Sequence, residues 1–180
     1  MDAGLSVNFH AEELHRTGGA EMGAEIKAKA MSHLEHISRD AIKAMAQSGT
    51  VAVLLPTTAH LLRLSSPPAR ELIGRGVIVA LGSDFNPNAY CLAMPIVMYL
   101  ACINMHLSMP EALVAATINA AYSLNRGKTH GALSVGRFAD IIVVGAPKWE
   151  HIIYQFGCHR SLIQKVIKKG ELIHENEDRM

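Results

Sequence analysis

Three short runs of aliphatic and β-branched residues, Leu5–Phe9, Val51–Leu55 and Val77–Leu81, alternate with stretches whose apolar residues recur at helical spacing. No other feature constrains the fold as much. Strands that are apolar along their length must be covered on both faces, the condition of a parallel sheet with helices packed against it. The helical stretches are Glu21–Ala30, Ser38–Gln47 and Pro68–Gly74. The second has Ser38 in N-cap position, Asp40 in the first turn, Ile42, Met45 and Ala46 on one face, and Ser48-Gly49 as a C-cap. The third opens on Pro67-Pro68, suited to a first helical turn. The predicted class is α/β, built from parallel β/α units.

A further short strand is expected at Ala30–His33. A longer helical region, Cys91–Met105, precedes Ser108 and Glu111, a capping-box pattern whose helix should run to about Leu124. After Gly131 the character changes. "GALSVGRFADIIVVGAP" and "VIKKGELIHE" are glycine-punctuated β-segments with no helix between them like the earlier ones. The expected division is a β/α portion, 1–130, and a β-rich portion, 131–180. Three or four β/α units are too few for a closed eight-stranded barrel. The expectation is therefore the second half of a TIM-like (β/α)8 barrel, rather than a small open sheet, followed by the strands of a smaller domain.

Composition excludes several classes. Apolar residues are 49% and charged residues 18%, which rules out a disordered chain. A net charge of +1 with dispersed basic residues gives no nucleic-acid footprint. The short run Lys165–Lys169, interrupted by Val166 and Ile167, reads as a strand with solvated lysines. Cys91, Cys102 and Cys158 have no CxxC spacing and are expected as free thiols in a reducing compartment, the cytoplasm. Phe85–Pro110 lacks Asp, Glu, Lys and Arg, yet Pro87, Pro95 and several Asn argue for a buried helix over a membrane span.

Functional groups of parallel β/α folds collect at the C-terminal strand ends. Four such ends carry polar residues here: His10 with Glu13; Ser32-His33; Thr57, Thr58 and His60; and Asp84 in "LGSDFNPN". Two imidazoles and a carboxylate on neighbouring strand ends can hold a divalent zinc or iron ion, which activates a water. Each residue also has a plainer role. His10 can hydrogen-bond in a turn, His33 can open a surface helix, Asp84 can cap a turn, and Glu13 can sit at a helix N-terminus for its dipole. Among the other histidines only His60 has a comparable placement.

The segments "FHAEE…GGAEMGAEIKAKAMSHLEH", "GTVAVLLP" and "LGSDFNPNA" resemble the C-terminal half of the imidazolonepropionase family of metal-dependent amidohydrolases. The later "NAAYSLN" and "GALSVGRFADIIVV" are similar too, the last to the strand pair that leads into the small composite β-sandwich domain of many amidohydrolases. The resemblance implies hydrolysis of the cyclic amide of 4-imidazolone-5-propanoate to N-formimidoyl-L-glutamate in histidine degradation. It implies one divalent metal, zinc or iron, with His10 and Asp84 as ligands at the ends of barrel strands five and eight. By the same resemblance Asp84 is expected also to take the proton of the attacking water, His33 to polarise the carbonyl and Glu13 to contact substrate. Asn86, Asn88 and Ala89 are expected to form the loop that holds it. The expected partner is a small-molecule substrate, with neither nucleic acid nor membrane, and a homodimer is the expected assembly.

The family's first metal ligands are an HxH pair on barrel strand one, and these 180 residues contain no HxH. The expectation is an incomplete form that binds metal weakly and turns over poorly. Two other readings stand beside it: another amidohydrolase such as an aromatic deaminase, and a catalytically inactive half-barrel.

Overall fold

Strands β1 (Asn8–Ala11), β2 (Ala30–His33), β3 (Val51–Leu54) and β4 (Val79–Leu81) form one parallel sheet in that order, in a computed structural model that describes residues 4–176. The ends of the expected portions at residues 1–3 and 177–180 lie outside the described residues. The strands are followed by α1 (Gly19–Glu25), α2 (Arg39–Ser48), α3 (Pro56–Leu61) and α4 (Ala69–Gly74). One sheet face, carrying Met31, Ala52, Leu54, Val79 and Leu81, packs with Ile42, Met45 and Leu72 in the main core. The other carries Ala30, Val51 and Ala80, with Val53 and Ala120 closing over them. Burial on both faces accounts for the apolar runs in the sequence.

The caps form as expected. Ser38 Oγ accepts the Ala41 N–H at 3.0 Å, and Gly49, with φ of 74°, donates its N–H to Met45 O. The remaining main helices are α5 (Met94–Asn104), α6 (Met109–Ala116) and α7 (Ile118–Ser123), and the Ser108–Glu111 capping box opens α6. That helix stops short of Leu124. Thr117 leaves helical geometry (φ −121°, ψ −90°) while its Oγ1 donates to Leu113 O at 2.6 Å, and α7 starts afresh at Ile118.

This break places α7 across the N-terminal ends of the strands. Asn119 Nδ2 donates to Val79 O at 2.8 Å, and Lys29 Nζ sits 3.6 Å from the centre of the Tyr122 ring. Just beyond α7, Asn125 Nδ2 donates to Ser6 Oγ at 2.8 Å. The sheet face that carries Ala30, Val51 and Ala80 is thereby covered at that end, and the C-terminal strand ends are left to the polar residues.

Other boundaries move as well: the strand expected over Leu5–Phe9 is Asn8–Ala11, and the one expected over Val77–Leu81 begins at Val79. The helix expected over Glu21–Ala30 runs Gly19–Glu25, because Lys29 donates its N–H to Val7 O and Ala30 enters the sheet between two neighbouring strands. The helix expected from Cys91 begins at Met94, with Pro95 in its first turn. Within the apolar stretch Phe85–Pro110 the helix is only 11 residues long, and no helix among the described residues is long and apolar enough to cross a membrane.

The C-terminal part forms an antiparallel sheet of β5 (Ile141–Val144), β6 (Ile163–Lys168) and β7 (Glu171–Glu175). Short helices α8 (His151–Tyr154) and α9 (His159–Leu162) intervene, joined by a 3-10 turn at Phe156–Cys158. Spacing does not reveal them, because four residues cannot show a helical period. They matter for packing: Ile152 and Ile153 join the main core, and Phe156 stacks on Tyr99 of α5 with ring centres 3.9 Å apart. The basic run lies on β6, where Lys165 pairs with Glu175 and Lys168 with Asp140.

Candidate active site

Parallel register brings the strand ends level. His10 lies beside Ser32, and Ala11 beside His33. At three of these ends a non-glycine residue takes a left-handed backbone: Glu12 (φ 57°), His33 (φ 77°) with Leu34 (φ 73°), and Asp84 (φ 49°). Each such residue costs on the order of 1–3 kcal/mol and is held only where its surroundings demand it. At Glu12 the demand is visible. Its buried carboxylate accepts the N–H groups of Thr17 at 2.6 Å and Ala20 at 3.0 Å, and its carbonyl accepts the N–H of His36. The loop after β1 is thus fastened to the start of α1, and Glu13 is turned towards the strand ends.

The result is a cluster. His10 Nδ1 and His33 Nε2 are hydrogen-bonded at 2.8 Å, and Glu13 Oε2 lies 3.7 Å from the same His33 nitrogen. His10, Glu13 and His33 offer ligand atoms all within 4.8 Å of one another, the one such group of three among the described residues. They line a cavity of about 280 Å³ together with Thr58, Leu61, Leu62, Asp84, Asn86, Asn88 and Ala89. All seven residues singled out from the sequence as ligands, catalytic groups or substrate contacts therefore face one space.

Their surroundings differ. The Asp84 carboxylate accepts a 2.6 Å hydrogen bond from Thr58 Oγ1, while Thr57 Oγ1 holds the neighbouring Ser83 carbonyl at 2.8 Å. Asn86 is engaged inside its own loop: Nδ2 donates to Asp84 O, and Oδ1 accepts the N–H groups of Asn88 and Ala89. It shapes the loop, and Asn88 and Ala89 border the cavity beside it. Burial lowers the His33 pKa, partly offset by the charges of Glu13 and Asp84. Burial also pushes Glu35 up to about 7; its own backbone N–H offsets part of this, and the Glu13 and Asp84 charges add to it.

The donor set fits a divalent cation of borderline softness. Imidazole nitrogens and carboxylate oxygens are what zinc and ferrous iron take, and the cluster supplies both. The His10–His33 hydrogen bond needs a proton on one of its two nitrogens. With that proton on His10 Nδ1, the Nε2 atom of His10 keeps its lone pair for a cation.

Strand-end position misleads at His60. Residues 56–61 form helix α3, His60 is exposed, and it borders a separate hollow with Arg63 and Asn104. Thr58, two residues earlier, reaches the site instead. The sequence assigns no role to Glu12 or Glu35. The one signal for each is an acid beside apolar residues, in "HAEE" and "HLEH", where a solvated acid has no reason to be.

The amidohydrolase family model matches residues 1–173. The chain belongs to that family. As an amidohydrolase it is similar to a probable imidazolonepropionase of Danio rerio, 60% identical over 98% of this chain and 41% of that protein. A probable imidazolonepropionase of Homo sapiens is 59% identical over 97% of this chain and 41% of that protein. The chain therefore spans about two fifths of the length of these curated relatives. A solved adenosine deaminase from Xanthomonas campestris with bound zinc shares the fold: TM-score 0.84 at 21% identity, over 98% of this chain and 47% of that one. Within the amidohydrolase family, then, an α/β architecture with a parallel sheet and a zinc-bearing fold neighbour agrees with the class expected from sequence.

Proposed function

We propose that this chain carries part of an imidazolonepropionase site, for the hydrolysis of 4-imidazolone-5-propanoate to N-formimidoyl-L-glutamate in histidine degradation. The observation that carries the proposal is the convergence of His10, Glu13, His33 and Asp84 on one cavity, in a chain about 60% identical to relatives of that name. A single zinc or iron ion, when bound, supplies carbonyl polarisation and an activated water. His10 and Asp84 hold it. Glu13 contacts the imidazolone ring, and His33 is the residue that polarises the carbonyl under attack. Asp84, oriented by Thr58, accepts the proton of the attacking water and passes it towards the departing nitrogen. The loop of Asn86, Asn88 and Ala89 encloses the substrate, the Asn88 amide facing its propanoate.

In this reading the four-stranded sheet is strands five to eight of a (β/α)8 barrel within residues 1–130. Residues 131–180 belong to the composite β-sandwich domain. The enzyme works in the cytoplasm on a small molecule, as a homodimer.

The test loads the chain with zinc or ferrous iron and follows ring opening of 4-imidazolone-5-propanoate beside a panel of aromatic amines. Slow ring opening and no deamination are expected. Release of ammonia from an aromatic amine, without ring opening, moves the chain to the deaminases. Metal retention with no turnover of anything supports the inactive half-barrel. Full activity with one tightly held metal overturns the incomplete form.

A further inference from the structure

Behind the cavity lies a buried acid with no task in the chemistry above. The Glu35 side chain is fully buried, the His33 side chain is 1% exposed, and Glu35 Oε2 lies 3.9 Å from His33 Nδ1. Among the described residues, neither oxygen of Glu35 has a hydrogen-bond partner on another residue, and His33 Nδ1 has none either. Buried polar atoms left unpaired are rare, and these face one another. The left-handed turn at His33 and Leu34 creates this arrangement, since it folds Glu35 back behind the imidazole that ends β2. The opposite ring nitrogen, Nε2, points to His10 and Glu13 at the cavity wall.

We infer that Glu35 is the positioning residue for His33, fixing the proton on Nδ1 and turning Nε2 to the cavity. A carboxylate behind a histidine selects the tautomer by accepting from the nearer ring nitrogen. Once Nδ1 carries the proton, His33 Nε2 is the acceptor of the 2.8 Å bond, and His10 Nδ1 is the donor. The Nε2 lone pair of His10 is then the one left for a cation. One buried acid thus sets the tautomers of two histidines in series. The use of that lone pair for a cation rests on the proposed function; the tautomer assignment does not.

The test is 15N NMR of the histidine side chains in the 180-residue chain, without metal or substrate, for wild type, Glu35→Gln and Glu35→Leu. Expected for wild type is a protonated Nδ1 and an unprotonated Nε2 on His33. Glu35→Gln, which keeps an acceptor oxygen, retains this pattern. Glu35→Leu loses it and shifts the proton towards Nε2. A wild-type His33 protonated on Nε2 overturns the inference, as does a folded Glu35→Leu protein with the wild-type pattern. If Glu35→Leu does not fold, the wild-type spectrum decides alone. Where wild type opens the imidazolone ring, Glu35→Leu should lose at least tenfold in kcat with KM little changed, and Glu35→Gln should recover part of it. Inactive wild type counts against the hydrolase and leaves the spectra to judge Glu35.

Discussion

Glu12 and Glu13 are neighbours in the chain and face opposite ways. The Glu12 carboxylate is buried on the N–H groups of Thr17 and Ala20, and the Glu13 carboxylate lies 3.7 Å from His33 Nε2. One acid holds the loop and the other borders the cavity, so substitution should separate stability from function. Glu12→Ala leaves two N–H groups without their acceptor, at a cost of about 1–3 kcal/mol. In a chain of this size, each kcal/mol lowers Tm by about 2–4 °C. Glu13→Gln should stay within about 0.5 kcal/mol of wild type while reducing turnover. Paired thermal melts and activity assays check this; equal Tm losses in both variants would contradict the division of labour.

The hydroxyl of Thr58 holds Asp84 Oδ2 at 2.6 Å, and Asp84 itself sits in a left-handed conformation. Thr58→Val keeps the shape and removes the donor. If Asp84 is a metal ligand, zinc affinity should fall roughly tenfold to a hundredfold, the range for losing an outer-shell partner. His10→Ala should weaken it further. Calorimetric zinc titration of the three proteins orders them. Affinity unchanged in Thr58→Val would leave Asp84 without a role at the metal.

Gly131 and Gly136 share a left-handed backbone, φ 83° and 86°, but their surroundings differ. A Cβ at Gly136 meets open space, whereas one at Gly131 falls 2.7 Å from Ile118 Cα and Thr117 O. Gly136→Ala should cost about 1–2 kcal/mol, the price of the conformation alone. Gly131→Ala must also push backbone away where α7 begins, so its urea midpoint should fall further. Equal midpoints would mean that the contact yields freely.

How much of this was legible depends on what each feature leaves in the sequence. Strands buried on both faces leave apolar runs, so β3 and β4 are plain. Ala30–His33 contains no β-branched residue; it is still expected as a short strand, and hydrogen bonding to β1 and β3 secures it there. The strand-end rule found His10, His33 and Asp84, because parallel strands in register end at one level. It failed at His60, since Pro56 and the following threonines begin a six-residue helix, too short to show a period. Glu35 escaped for a different reason. Its position behind His33 depends on two consecutive left-handed residues, neither of them glycine, and no residue type announces that.

Acid should expose one ion pair far from the cavity. Arg70 Nη1 donates to both oxygens of Glu111 at 2.7 and 2.8 Å, and Ser108 donates through its N–H and its hydroxyl. These bonds, Arg70 first, hold Glu111 down to about 2, from an ordinary value of 4.5. A carboxyl lowered by folding stabilises the native state fully above its unfolded pKa, and the contribution is lost as pH falls through the folded one. The window here runs from 4.5 down to about 2. Glu111→Gln should therefore melt below wild type at neutral pH, with the gap narrowing as pH drops through that window. Thermal melts across the acid range measure it. A gap that stays constant down to the bottom of the window would show that the carboxylate charge contributes nothing to holding α6 against Arg70.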